Sequence, residues 1–403
     1  MGKNILWVSP HIPYDTVTHG GGKTHNYYIK YFQSTGKYNI TLLSLCVKSD
    51  LGKIDLERYQ IKYSAYILDK NPLENTFRRI ADRISYANPK DPYAGICLNY
   101  ERWMMSRQIK KYLSEGQKPD IVILQWTFAV LFIDDLKKSF PDSKYIVIEE
   151  DVTFLNYKRR YERAQGRLNK IFWKNRMQIG QKKELEALQK ADIVVTNNFK
   201  DSKLLVTEKL AQEKIFTSAP YFDDYSCIER KKNSKNILFW GAMSRPENYE
   251  SAIWFITNVM PLLKDFNVKF VIAGGQPNNS LYKYEREDVI ITGYVKNPED
   301  LFEDCFCLVA PLVGGAGIKI KILEALSAGV PVLTNEIGIE GIPAQDGSEY
   351  YLCKTVDDYL KRIQKLLTTE VGWQMGTRAR LFIRKNYCLN EKLQELEKTI
   401  SEL

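Results

Sequence analysis

Short runs of β-branched and aliphatic residues alternate along the whole chain with longer segments whose apolar positions recur every three or four residues. The short runs read as buried strands and the longer segments as amphipathic helices. Strands are predicted at 4–9, 40–45, 63–68, 121–125, 145–149 and 193–196. A second series, at 236–240, 268–273, 289–291, 306–310 and 331–334, follows the turn-like stretch 219–224 and the lysine-rich cluster 230–235. Such alternation indicates parallel sheets wrapped by helices. The chain is therefore expected to be α/β, with two Rossmann-like doubly wound domains at 1–220 and 221–384. The charge-rich helical tail, about 385–403, is expected to pack back on the first domain. Ligands of open α/β sheets bind outside the carboxyl ends of the strands, so a cleft shared by the two domains is the expected site.

The densest chemistry lies in 309–334, VAPLVGGAGIKIKILEALSAGVPVLT. A strand ending at Ala310, a turn with Gly314, Gly315 and Gly317, and a helix over about 318–328 are predicted, with Ile318, Ile322, Ala325 and Leu326 facing the core. Gly329 and Pro331 mark its end. Backbone amides at a helix N-terminus, approached closely through glycines, suit a phosphate. Lys319 and Lys321 in the first turn oppose the helix dipole, and a bound diphosphate would offset that conflict. Glu324 is placed to accept hydrogen bonds from ribose hydroxyls. A tight strand-to-helix turn with solvated lysines is the alternative on local chemistry alone.

This segment resembles the donor-binding signature of the retaining GT-B glycosyltransferases of family 4, a glycine-rich turn and basic residues followed by KxLEAxxxGxPV. Other stretches resemble that family in the same order, so the resemblance covers nearly the whole chain. ILFWGAMSRPEN at 237–248 contains Gly241 and resembles the first strand and loop of the donor domain, which implies that Arg245 faces the donor phosphates. FVIAGG at 270–275 brings Gly274 beside the base, and ITGYV at 291–295 implicates Tyr294 and Val295 in reading it. WVSPHIPYDTVTHGGGKTHNYY at 7–28 resembles the N-domain opening, where Gly21 and Gly22 would approach the diphosphate from the opposite wall. The implied fold is GT-B, two Rossmann-like domains facing a central cleft.

Two departures from the family pattern bear on the chemistry. The first of two glutamates that many members carry falls on Ala316, so sugar recognition would rest on the amides of Gly315, Ala316 and Gly317, beside Ile318. The histidine of an EHD-like run is replaced within Glu149-Glu150-Asp151. The resemblance implies a nucleotide-sugar donor linked to UDP or GDP, a glycan, lipid-linked or protein acceptor, retention of anomeric configuration, and no metal requirement. Charge gathering on the leaving diphosphate would be neutralised by Lys319, Arg245 and the helix N-terminus. Glu150 or Asp151 would orient the acceptor or stabilise the cation, the bland reading being a helix cap or a solvated carboxylate.

Composition narrows the function classes. No stretch approaches the ~20 apolar residues that span a bilayer, and seven cysteines without a CxxC pair suit reduced thiols in the cytoplasm. The three histidines, His11, His19 and His25, all precede residue 26, which disfavours a His-based metal centre. Net charge is +9, indicating an acidic partner. Residues 157–183 hold ten Lys or Arg against Glu162 alone, with Phe172 and Trp173 interleaved. That stretch reads as a solvated face or as contact with an anionic membrane surface; nucleic acid is the poorest fit, since no recognisable module accompanies the charge. Three other readings stay open: a catalytically silent subunit that binds a partner or acceptor, an epimerase of the same shape, and a single-domain metal-dependent transferase using Glu149 and Asp151.

Overall fold

The computed structural model describes residues 2–17, 19–315 and 317–403. The chain divides into two compact units, one comprising 1–221 and 389–403, the other 222–388.

The first unit is built on a seven-stranded sheet of order β3-β2-β1-β4-β5-β6-β7, with every pairing parallel. Its strands are β1 (Lys3–Ser9), β2 (Tyr38–Cys46), β3 (Lys62–Ile67), β4 (Ile121–Gln125), β5 (Lys144–Glu149), β6 (Ile193–Thr196) and β7 (Ile215–Thr217). Because side chains alternate across a strand, Leu6, Val8, Val122, Leu124 and Val147 join the core on one face. Ile5, Trp7, Ile121, Ile123 and Ile146 join the core on the other. Both faces are covered by helices, so the strands read as continuous apolar runs. The helix Leu389–Ser401 returns to this unit, burying Leu393, Leu396 and Ile400 in the second of those cores. Asn390 accepts a 2.6 Å hydrogen bond from the Tyr27 hydroxyl.

The second unit carries a six-stranded sheet of order β10-β9-β8-β11-β12-β13, again all parallel. The strands are β8 (Asn236–Trp240), β9 (Lys269–Ala273), β10 (Val289–Gly293), β11 (Cys307–Ala310), β12 (Val332–Thr334) and β13 (Tyr350–Leu352). In each sheet the order reverses beside the first strand, between β1 and β4 and between β8 and β11. Crevices open at such switch points.

The expected α/β fold class is observed. Strand ends differ from the sequence reading by one or two residues, and β7 and β13 were absent from it. Each has three residues at a sheet edge, too few to display a period. The helix expected from Ile318 begins instead at Ile320 and ends at Ser327. Gly317 lies at φ 69° and Lys319 is extended at φ −95°, ψ 95°, so the turn takes two more residues. Ile318 is consequently outside the helix and partly exposed, while Leu323 joins the core. The other end behaves as expected: Gly329 at φ 69° and Val330 donate to the carbonyls of Leu326 and Ala325, a Schellman closure.

Candidate functional site

In the second unit the loops after β8, β9 and β11 converge. Gly241 and Gly274 take φ of 150° and 145°, and a Cβ on Gly274 would lie 1.7 Å from the Gly241 carbonyl oxygen. Only glycine permits the two loops to touch in this way. The Gly241 amide donates to Ala273 and the Gly274 amide to Gly293, so the floor is stitched from backbone alone.

Lys321 lies directly over this floor, its Nζ 2.9 Å from where a Gly241 Cβ would stand. Its ammonium donates to Asn248 Oδ1 at 2.5 Å and sits 4.9 Å above the Phe239 ring. Asn248 is fixed in turn, its amide donating to the Ala242 carbonyl at 2.8 Å. Burial, then repulsion from Lys319, pulls the Lys321 pKa from 10.5 down to about 7, with Glu247 opposing that fall. Lys319 caps the helix Ile320–Ser327 instead of entering its first turn, and its Nζ donates to Gly317 O at 2.5 Å. Gly315 lies under the Lys319 side chain. Arg245 caps the helix Pro246–Asn258 and remains largely exposed, 3.9 Å from Glu247. Glu324 is buried and accepts from the Trp240 indole at 2.8 Å.

The structure thus brings Gly241, Gly274, Arg245, Gly315, Lys319, Lys321 and Glu324 to one end of the sheet. Tyr294 and Val295 follow β10, and the Tyr294 ring, 79% exposed, stands beside Gly275. Ala316 lies outside the described residues. Asn248, Glu247 and Trp240 were not singled out from the sequence. Glu247 and Asn248 sit one and two residues beyond Pro246, and the first turn of a helix that follows a parallel strand beside the switch point is the signal that would have found them.

The first unit gathers a second polar group at the carboxyl ends of β4, β5 and β6. Gln125 and Asn197 each donate a 2.6 Å hydrogen bond to one oxygen of Glu150. Burial and the neighbouring Asp151 charge nevertheless hold the Glu150 carboxyl well above the usual range, against the lowering effect of those two hydrogen bonds. Asp151 is exposed. Gly21 packs beneath Trp126 and Glu150, where a Cβ would meet the indole at 3.3 Å and the carboxyl carbon at 3.5 Å. The Gly22 amide donates to His19 Nδ1 at 3.0 Å, so it is occupied within its own helix cap.

Three residues unflagged by sequence complete this group. Trp126 holds a left-handed backbone, φ 65°, and its indole meets the rings of His11 and His25 edge-on at 5.2 and 5.3 Å. Burial lowers His11 to about 4 and His25 to about 3, so both are neutral. Strained backbone of this kind costs on the order of 1–3 kcal/mol. The available signal was the polar pair Gln125-Trp126 at the end of an apolar parallel strand.

Behind Glu150 lies a buried carboxyl pair. Thr127 Oγ1 reaches Glu149 Oε2 at 2.8 Å and Glu184 Oε1 at 3.3 Å. Glu184 also accepts the amides of Thr153 and Phe154 at 2.8 and 2.9 Å, capping the helix Thr153–Arg163. Burial raises both carboxyls, Glu184 to about 7, and the Glu184 charge raises Glu149 further. Among the described residues no group of three or more His, Cys, Asp or Glu is arranged to hold a metal ion, and no helix is long and apolar enough to cross a membrane.

Two doubly wound parallel units, each with polar groups at the strand ends beside its switch point, define a GT-B fold. The single-domain architecture of the alternative transferase reading is thereby overturned. Residues 234–369 match the family described as Glycosyl transferases group 1. The chain resembles HepE from Anabaena in complex with UDP-glucose, with a TM-score of 0.67, 10% identity and 100% of both chains covered. It also resembles sucrose-phosphate synthase from Thermosynechococcus elongatus, with a TM-score of 0.67, 11% identity, and coverage of 99% of this chain and 98% of that one. At such identities the likeness concerns the fold. An "Uncharacterized 44.6 kDa protein in cps region" of Klebsiella pneumoniae is 26% identical over 178 residues, 41% of this chain and 44% of that protein. The match therefore spans less than half of that relative's length. The family match and the fold together support a group 1 glycosyltransferase.

Proposed function

We propose that the chain transfers a sugar from a uridine or guanosine diphosphate-linked donor to a glycan, lipid-linked or protein acceptor, with retention and without a metal, in polysaccharide assembly. The observation that carries this reading is the glycine floor of Gly241 and Gly274 with two lysine ammonium groups and Arg245 around it. Cations set against a backbone that admits close approach favour a diphosphate. Lys319 and Arg245 would neutralise charge as the diphosphate departs, with Lys321 buried behind them. Gly315, Ala316 and Gly317 would meet the sugar, Tyr294 and Val295 the base, and Glu324 the ribose. In the first unit Glu150, clamped by Gln125 and Asn197, or its neighbour Asp151 would orient the acceptor or stabilise the cation. The protein would act in the cytoplasm, with the basic helices of 157–183 lying against an anionic membrane. UDP is favoured over GDP because the HepE structure holds UDP-glucose.

Thermal-shift titration with UDP and GDP, each with and without chelator, tests the reading. Stabilisation by one nucleotide, unchanged by chelator and abolished in Lys319→Ala, is expected. A parent protein that ignores both nucleotides, or a Lys319→Ala variant that binds and turns over normally, would remove its foundation.

A further inference from the structure

The helix Pro72–Ala87 of the first unit is turned inside out. Leu73, Phe77, Ile80 and Ile84 are 85%, 65%, 54% and 68% exposed, and at 3.6 residues per turn they fall within about 60° of one another. The inward side is polar. Glu74 accepts from the hydroxyls of Tyr66 and Tyr100, Arg78 donates to Asn75 at 3.1 Å, and Ser85 is buried. A helix on a water-facing surface carries the opposite pattern, so this one requires an apolar medium outside it.

What lies beside the stripe gives that medium its charge. Arg79 and Arg83 are exposed on one border of the helix. On the neighbouring helix Asn99–Ser114, Trp103 is 54% exposed with the Arg107 guanidinium 5.1 Å from its ring, and the rings of Phe77, Tyr100 and Trp103 stand 6.4 and 6.3 Å apart in succession. An apolar ridge bordered by arginines and an exposed tryptophan matches the interface of an anionic bilayer. The aromatics of the basic stretch do not supply this apolar element. Phe172 and Trp173 are partly buried, packed on Tyr86 and Tyr157, and Arg176 is wholly buried, donating to the carbonyls of Ala94 and Tyr86.

We propose that the helix Pro72–Ala87 docks this protein on an anionic lipid surface, inserting Leu73, Phe77, Ile80 and Ile84 among the acyl chains while Arg79 and Arg83 meet the lipid phosphates. The inference deepens the proposed membrane contact, and because its test uses no nucleotide, it stands or falls separately from sugar transfer.

The test is co-sedimentation of the full chain with vesicles of phosphatidylcholine, plain or doped with one-third phosphatidylglycerol. The parent is expected on doped vesicles and released by salt. Phe77→Ser with Ile84→Ser, and separately Arg79→Glu with Arg83→Glu, should each weaken partition at least about tenfold. These side chains are exposed, so circular dichroism of both variants should match the parent. A parent that binds neither vesicle, or a serine variant that binds like the parent, overturns the proposal. So does a homodimer, seen by analytical ultracentrifugation, that the serine variant dissolves while the parent ignores vesicles.

Discussion

Lys321 provides a quantitative test of the proposed diphosphate site. Without ligand its pKa falls from 10.5 to about 7, first through burial and then through Lys319, with Glu247 and Glu324 opposing and Arg245 adding to the fall. That change places a penalty on the order of 5 kcal/mol on the charged form. Since the unfolded lysine keeps its ordinary value, the charged form is disfavoured by folding, and this group's contribution to stability rises with pH from about 7 to 10.5. A diphosphate beside the ammonium restores the charge. Nucleotide binding above pH 7 is then expected to take up a proton, because the terminal phosphate itself titrates near about 6. Affinity should fall up to about tenfold per pH unit between pH 7.5 and 9.5. Isothermal titration with UDP, in two buffers of unlike ionisation enthalpy, reads both the proton uptake and the slope. Lys321→Met should bind more weakly with neither buffer dependence nor slope. The reasoning is refuted if parent affinity is level across this range, or if the methionine variant keeps the same slope.

Three further outcomes follow from the geometry. Gly274→Ala would drive a Cβ to 1.7 Å from the Gly241 carbonyl at a φ of 145°, so a loss of at least about 3 kcal/mol is expected, read as a fall in the melting temperature and lost UDP binding. Glu150→Gln keeps the shape that Gln125 and Asn197 clamp and imitates the protonated form that burial favours, so it should retain transfer within a few-fold, whereas Glu150→Ala should lower kcat about 100-fold; equal losses in both would indicate an ionised role. Glu149 and Glu184 are both raised in the folded state, Glu184 from 4.5 to about 7, so the stabilisation from Glu184 is complete below about 4.5 and is lost as pH climbs through about 7. Glu149→Gln, which removes one of the two facing carboxyls, should therefore gain stability relative to the parent between pH 5 and 8, measured by urea unfolding, and a constant difference across that range would contradict the raised values of the pair.

The sequence by itself determined the two sheets. Apolar runs such as 121–125 and 193–196 are legible because both faces of a parallel strand are buried, and the Gly329 closure because only glycine takes the left-handed turn economically. The glycines and cations of the loops after β8, β9 and β11 were legible for the same reason, each being a residue type that its local backbone or charge demands. Tertiary structure decided what sequence spacing cannot encode. Glu149, Glu150 and Asp151 are neighbours in the chain, yet one is buried against Glu184, one is clamped by Gln125 and Asn197, and one is exposed. The raised values of Glu149 and Glu150 follow from desolvation, a property of surroundings assembled from residues far apart in the chain. Lys319 and Lys321 separate likewise into a helix cap and a near-neutral buried amine. The outward apolar face of Pro72–Ala87 carries an ordinary amphipathic pattern; only the fold reveals which side of it meets the protein.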